Sequence, residues 1–148
     1  MRTLYGQDEK AVMTASEILN VKIESLHRKE LIFIREKLQE NPFLFHSNYE
    51  VLHQWGKIEL RLNMPHAAEG YFKKALLLHK EHVESMRELA ILYTKSERLK
   101  EALKLFATIV TIKPDDWEAW YKGGIILQNM NETTKALAWL TMAKKYKV

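Results

Sequence analysis

The sequence contains no cysteine and only five glycines and three prolines in 148 residues. The absence of cysteine excludes disulfides and any metal or redox site built on thiols, and it fits a reducing compartment. Scarce glycine and proline argue against long disordered stretches. No apolar run reaches the roughly 18 residues that a membrane-spanning helix needs. Residues 1–10 also lack the apolar core of a secretory signal, so we predict a cytoplasmic protein without a membrane span.

Motifs that carry catalysis are also missing. The chain has no GxGxxG, Walker A, GxSxG, HExxH or EF-hand pattern, so we expect neither an enzyme nor a bound cofactor. His79 and His82 have a usable ligand spacing, but they fall at a predicted helix end beside Lys80 and Glu81. We therefore predict no metal site.

The net charge of +4 is modest, and the 23 basic residues are spread along the chain. Nucleic-acid binding usually shows as a concentrated basic patch. A nucleic-acid-binding helical repeat is therefore kept only as an alternative.

What the sequence does contain is a pattern written three times at a spacing of 34 residues. Each copy has a small residue at one position and an alanine at a later position. A bulky residue follows each alanine after four residues. The small set is Gly56, Ala90 and Gly124, the alanines are Ala68, Ala102 and Ala136, and the bulky set is Phe72, Phe106 and Leu140. Because helices cross closely only where one presents a small side chain, this period indicates stacked helical hairpins. Gly123-Gly124 is accordingly a packing feature, not a phosphate loop.

These residues resemble the tetratricopeptide repeat. With Tyr49 as position 1, the copies cover 49–82, 83–116 and 117–148. The resemblance implies an all-α fold, a right-handed α-solenoid of three helix-turn-helix repeats, with residues 1–48 as an N-terminal helical cap. Departures from the family pattern include Glu59 at position 11, where Tyr is usual, and Gly123 at position 7.

The first 48 residues do not fit the repeat. Thr14 followed by Glu17 resembles a capping box. We predict one or two helices over about 8–40, with a possible break near 27–29 and an end at Asn41-Pro42. The apolar residues 43–45 should pack on the first repeat. This region is either a cap that shields the end of the array or a dimerisation or docking element.

Helix starts can be assigned from capping residues. Ser47 and Asn63 are the predicted N-caps of the two helices of the first repeat, and an aspartate of Asp115-Asp116 is the predicted cap of the first helix of the third.

The resemblance also places a partner-binding groove on the first helix of each repeat. Its predicted residues are Glu50, His53, Lys57, Leu60 and Arg61, then Glu84, Arg87, Ile91 and Lys95, then Glu118, Tyr121 and Ile125. An apolar strip flanked by both signs of charge suits an extended peptide or a helix of a partner protein. The family's clamp for a chaperone carboxylate is not expected, because Glu88 and Glu118 occupy positions where that clamp has Asn and Lys.

A second surface is predicted where the chain stops inside the last repeat helix. Its candidate residues are Leu137, Trp139, Leu140, Met142 and Tyr146. If no helix covers them, they form a face for self-association or for a partner. The sequence therefore predicts a non-catalytic protein-binding module, an adaptor, scaffold or dedicated chaperone, with a homo-oligomeric assembly protein as the alternative.

Overall fold

The computed structural model describes residues 13–148, apart from the side chain of Leu44. All regular secondary structure in that range is helical, which confirms the all-α helical-repeat fold. Within the same range no helix is long and apolar enough to cross a membrane. The chain divides into two compact units, unit 1 ending at Lys80 and unit 2 beginning at Glu81. Unit 1 therefore joins the N-terminal region to the first predicted repeat.

The described part of unit 1 has three N-terminal helices followed by one helical hairpin. Its helices are α1 (Ala15–Leu19), α2 (Arg28–Glu40), α3 (Pro42–Phe45), α4 (Tyr49–Arg61) and α5 (Pro65–Leu78), with a 3-10 turn at Ile23–Ser25. The described N-terminal region is thus broken over residues 20–27, a longer interruption than the one predicted near 27–29. The predicted residues 8–12 lie outside the described range.

Unit 2 consists of two consecutive helical hairpins. Its helices are α6 (Val83–Lys95), α7 (Leu99–Ile112), α8 (Trp117–Asn129) and α9 (Thr133–Tyr146). The first helices of the three hairpins begin at Tyr49, Val83 and Trp117, so each start follows the previous one by the predicted 34 residues. The second helices repeat with the same spacing.

Two of the predicted N-caps are wrong. The N-cap of α4 is Asn48, whose side chain accepts from the amides of Glu50 and Val51, and not Ser47. Asn63 does not cap α5, since Met64 occupies that place. Asn63 instead adopts a left-handed conformation with φ 63°, and Glu97 and Asn131 do the same at φ 61° and 62°. The predicted aspartate cap of α8 is confirmed, and it is Asp116, whose carboxylate accepts from the amide of Ala119.

The small residues of the repeat allow the two helices of a hairpin to touch. A Cβ placed on Gly56 of α4 would lie 2.6 Å from Phe72 of α5, whose ring is fully buried. In the last hairpin the ring of Trp139 packs directly on Gly123. Leu140 packs on Gly124, since a Cβ there would lie 2.9 Å from the leucine side chain. The prediction that Gly123-Gly124 serves close packing is therefore confirmed.

The core of unit 1 draws on the N-terminal region as well as on the hairpin. Buried side chains of both parts form one cluster, among them Ile18, Ile34, Phe45, Leu52 and Ile58. Phe45 is buried as predicted for residues 43–45, but Phe43 is 94% exposed. The N-terminal region is therefore part of the first hairpin's core, and not an appendage attached to its surface.

Candidate functional site

In unit 1 part of the predicted groove face of α4 binds another segment of the same chain. Arg61 donates from Nη1 to the carbonyl of Ile23 at 2.7 Å and from Nη2 to the carbonyl of Leu26 at 2.9 Å. Gln54 Nε2 lies 3.4 Å from the carbonyl of Val21. Lys57 forms an ion pair with Glu24. Two of the predicted partner-binding cations, Lys57 and Arg61, thus bind residues of the segment Val21–Leu26.

Lys57 lowers the pKa of its partner, Glu24. The hydrogen bond from Lys57, together with that from a backbone amide, holds the pKa of Glu24 below its usual value. The Glu24 side chain nevertheless remains 68% exposed, so this ion pair adds little to the stability of the fold.

The other predicted residues of this face differ in exposure. Glu50 is exposed, whereas His53 and Leu60 are half-buried. The imidazole of His53 lies with its centroid 5.4 Å from that of Phe72, in a tilted arrangement. His53 therefore contributes to hairpin packing.

One unusual residue of the first repeat has a structural explanation that sequence reasoning missed. Glu59, at the position where Tyr is usual, is buried and lies 3.4 Å from Nη1 of Arg35 in α2. Burial, followed by the nearby charge of Glu59, raises the pKa of Tyr71. The departure at position 11 accommodates the N-terminal region, because α2 supplies the matching cation.

In unit 2 the predicted groove residue Arg87 is engaged within the fold. Its guanidinium makes two contacts with the Asp116 carboxylate, one of them Nη1 to Oδ1 at 3.1 Å, and lies 3.7 Å from Glu118. The hydrogen bond to Asp116 raises the pKa of Arg87. Burial alone would raise the pKa of Asp116, but bonds from Arg87 and from the Ala119 amide outweigh it and lower that pKa. Arg87 therefore fixes α6 against the start of α8.

Most of the remaining predicted residues of unit 2 come together around a pocket between α6 and α8. Its volume is about 360 Å³. It is lined by Ile91, Thr94, Lys95, Phe106, Tyr121, Lys122, Ile125, Ile126 and Asn129. Four of these, Ile91, Lys95, Tyr121 and Ile125, are predicted groove residues. Glu84 is exposed and lies outside this lining.

The apolar part of the pocket is accessible. Tyr121 keeps 49% of its surface exposed, and Ile91 and Ile125 are half-buried. The lining residues Lys122, Phe106 and Ile126 are not among the predicted groove residues. Lys122 and Ile126 directly follow the predicted residues Tyr121 and Ile125 in α8, whereas Phe106 lies on α7, where no groove residue was predicted.

A second pocket of about 530 Å³ adjoins the first and shares Tyr121 and Lys122 with it. Its other lining residues are Trp117, Glu118, Leu140, Ala143, Lys144 and Lys147. The ammonium group of Lys147 lies 4.8 Å from the ring centroid of Trp117. The second pocket thus combines apolar side chains with three lysines and one glutamate, and its net charge is positive.

The predicted association face of α9 is only partly exposed. Leu137 is 68% exposed, whereas Trp139 and Leu140 are half-buried against Gly123 and Gly124. Trp139 also makes an edge-to-face contact with Trp120, with centroids 5.0 Å apart. Met142 and Tyr146 are likewise half-buried.

The histidines do not assemble into a coordination site in the described part of the chain. No group of three or more metal-ligating side chains lies together among residues 13–148. His82 instead lies 2.7 Å from the Ser85 hydroxyl and 3.3 Å from Glu84, while His79 contacts the ring of Tyr49. Both histidines are thus explained by contacts at helix ends.

Known proteins resemble the chain in both sequence and structure. The sequence model of a tetratricopeptide repeat family matches residues 60–123. A structure of MamA, from residue 41 to its end, from Desulfovibrio magneticus RS-1 aligns with a TM-score of 0.75 and 22% identity, covering 97% of this chain and 77% of that chain. A crystal structure of MamA gives a TM-score of 0.73 and 16% identity over 84% of this chain and 78% of that one.

A third structure, YrrB, is described as a TPR protein with an unusual peptide-binding site. It aligns with a TM-score of 0.70 and 20% identity, covering 81% of this chain and 62% of YrrB. No curated protein matches the sequence. At these identities the structural likeness shows a shared fold and nothing more.

Proposed function

Because the chain is a tetratricopeptide-repeat protein, we propose that it is a non-catalytic protein-binding module. Its site is the pocket between α6 and α8, which holds a short segment of a partner protein. The observation that carries this proposal is the accessible apolar floor of Ile91, Tyr121 and Ile125. Half of the Tyr121 surface stays exposed on a helix whose other large apolar side chains are half-buried or buried.

The chemistry of the pocket suits a peptide. Apolar side chains supply the floor, and Lys95, Lys122 and Asn129 supply polar groups around it. Peptide-binding sites commonly combine one apolar anchor position with a few polar groups that fix the main chain. The volume of about 360 Å³ accommodates one or two side chains and not a whole domain.

The described peptide-binding site of YrrB makes the same use of this fold plausible here, although that likeness concerns fold alone. The adaptor, scaffold and dedicated-chaperone roles all follow from binding a segment in this way. They differ in what else the partner contacts, which the pocket does not encode.

The proposal is tested by placing a photocrosslinking amino acid at Tyr121 in cells that express the full chain. We expect a defined protein adduct from Tyr121 and none from the same probe at Lys104, an exposed residue of α7 that lines neither pocket. Absence of any protein adduct at Tyr121 contradicts the proposed site.

The affinity of the native chain and of its variants for the crosslinked partner then measures how much Tyr121 contributes to binding. Replacing an aromatic anchor at the centre of an interface by alanine costs about 2 kcal/mol, or about 30-fold in Kd. We expect that loss for Tyr121→Ala in isothermal titration calorimetry. Tyr146→Ala, on the half-buried face of α9, is the matched control and should leave the Kd unchanged. If only the Tyr146 variant loses affinity, α9 is the binding face and the pocket is not.

A further inference from the structure

Unit 1 contains an example of a segment bound to the groove face of a repeat. The segment Val21–Leu26 makes one 3-10 turn at Ile23–Ser25, flanked by extended residues. Two aliphatic side chains three residues apart, Ile23 and Leu26, are buried, being 1% and 7% exposed. Its main-chain carbonyls accept the hydrogen bonds from Gln54 and Arg61, and its one acidic side chain, Glu24, pairs with Lys57.

Three positions of the repeat hold this segment, namely 6, 9 and 13, occupied in α4 by Gln54, Lys57 and Arg61. The same positions line the pocket of unit 2. Position 6 is Lys122 in α8, position 9 is Ile91 in α6 and Ile125 in α8, and position 13 is Lys95 in α6 and Asn129 in α8. The pocket therefore uses the surface that α4 uses to bind Val21–Leu26.

The differences between the α4 surface and the pocket of unit 2 indicate which peptide side chains the pocket would bind. Position 9 changes from Lys57 to isoleucine, so the centre of the pocket favours an aliphatic side chain over a carboxylate. Position 6 of α8 is Lys122 and position 13 of α6 is Lys95, and these lysines donate hydrogen bonds and carry charge but accept nothing. Position 13 of α8 is Asn129, a neutral amide. Neither Lys95 nor Lys122 makes an ion pair with a described residue.

We infer that the partner segment is a short acidic stretch that turns once and inserts aliphatic side chains two or three residues apart. In this complex the aliphatic side chains lie on Ile91 and Ile125. The carbonyls and carboxylates of the segment accept from Lys95 and Lys122. The inference rests on the proposed function and adds the chemistry of the ligand to it.

The adjoining cationic surface supports the acidic character of the ligand. Lys144 and Lys147 line the second pocket, which is continuous with the first through Tyr121 and Lys122. One acidic residue, Glu118, faces the same surface, so the local charge is net positive. Acidic residues next to the aliphatic anchor would therefore bind more tightly than neutral ones, most strongly at low salt.

Selection of peptides from a random displayed library on the full chain tests the inference. Elution is by the purified chain, and the variant Lys95→Glu/Lys122→Glu serves for counter-selection. We expect sequences with two aliphatic residues at i and i+2 or i+3 and at least one Asp or Glu nearby. The double variant should bind the selected peptides at least 10-fold more weakly, and raised salt should reduce the affinity of the native chain. Lys100→Glu/Lys104→Glu on α7 is the matched charge control and should bind as the native chain does.

The possible failures are distinguishable. Selected peptides that are basic or aromatic, and that lose affinity on Tyr121→Ala, overturn the inference while leaving the proposed function intact. No selected peptide that depends on Tyr121 contradicts the proposed function, and the inference fails with it. Tighter binding of a single-stranded RNA than of any peptide, abolished by Lys95→Glu/Lys122→Glu, overturns both.

Discussion

Substituting alanine for glycine should have opposite effects on stability at two positions of the first hairpin. Gly56 lies in the middle of α4 and Gly70 in the middle of α5, and both have helical backbone. A Cβ on Gly56 would lie 2.6 to 2.8 Å from three ring atoms of Phe72. A Cβ on Gly70 would meet nothing within 4 Å. Gly56→Ala should therefore destabilise the protein, whereas Gly70→Ala should stabilise it.

The magnitudes follow from two opposing effects. Alanine is better than glycine in a helix interior by about 1 kcal/mol. At Gly70 nothing opposes this gain, so we expect about 0.5 to 1 kcal/mol of added stability. At Gly56 the methyl group overpacks a core whose phenyl ring is fully buried. Such overpacking costs about 2 to 3 kcal/mol, because a rigid ring can move only by shifting α5. The net effect at Gly56 is a loss of about 1 to 2 kcal/mol.

The assay is urea denaturation followed by circular dichroism, with thermal melts as a second measurement. Gly56→Ala should lower the Tm by about 4 to 8 °C, and Gly70→Ala should raise it by about 2 to 4 °C. The pair controls for itself, since both variants add one methyl group to one hairpin. A Gly56→Ala protein as stable as the native chain would show that α4 and α5 are not in close contact at Phe72. A destabilised Gly70→Ala protein would contradict the open space at that site.

Three further predictions concern other sites. Glu97 adopts φ 61° where the other two hairpins have Asn, so Glu97→Asn should stabilise the protein by about 0.5 kcal/mol in urea denaturation, and a loss of stability would contradict the left-handed turn. Asp116 has a lowered pKa, so its contribution is present above its unfolded-state pKa near 3.8 and is lost as the pH falls through the folded value. Asp116→Asn keeps the cap but not the charge, and it should lower the free energy of unfolding by about 1 to 2 kcal/mol at pH 7. It should also weaken the fall in stability below pH 4. An unchanged pH profile would contradict the role of the pair with Arg87. Removing the cation beside buried Glu59 by Arg35→Met should cost about 2 to 3 kcal/mol at pH 7, and Arg35→Met combined with Glu59→Leu should recover much of it; a neutral single variant would contradict the buried pair.

The fold was predictable because the repeat encodes it in packing. Gly56 and Phe72 mark one close contact, and Gly124 and Leu140 mark another, so small and bulky residues at fixed offsets identify the hairpins from the sequence alone. The turns were less predictable. A polar residue such as Asn63 suits both an N-cap and a left-handed turn, and its side-chain chemistry alone does not choose between them.

The site was predicted in part. Side chains on one face of a helix follow from the register, and Ile91, Tyr121 and Ile125 do line one pocket. The register does not show whether another segment of the same chain binds to that face. Arg61 looks like a ligand-binding cation in sequence, but carbonyls of the N-terminal segment take its donors. That segment lies outside the repeat, so no position-by-position comparison of repeats would place it there.

The two units carry separate optical reporters. Trp55, in unit 1, stacks on Tyr71 with ring centroids 4.3 Å apart, a geometry that permits efficient energy transfer from tyrosine to tryptophan. Trp120 and Trp139, in unit 2, meet edge to face at 5.0 Å, close enough for exciton coupling of their transitions in circular dichroism. Unfolding of unit 1 would remove the contribution of the pair of Tyr71 and Trp55 to the transferred emission, and unfolding of the last hairpin would remove the coupled signal. A single unlabelled sample thus reports whether the two units unfold together or in succession.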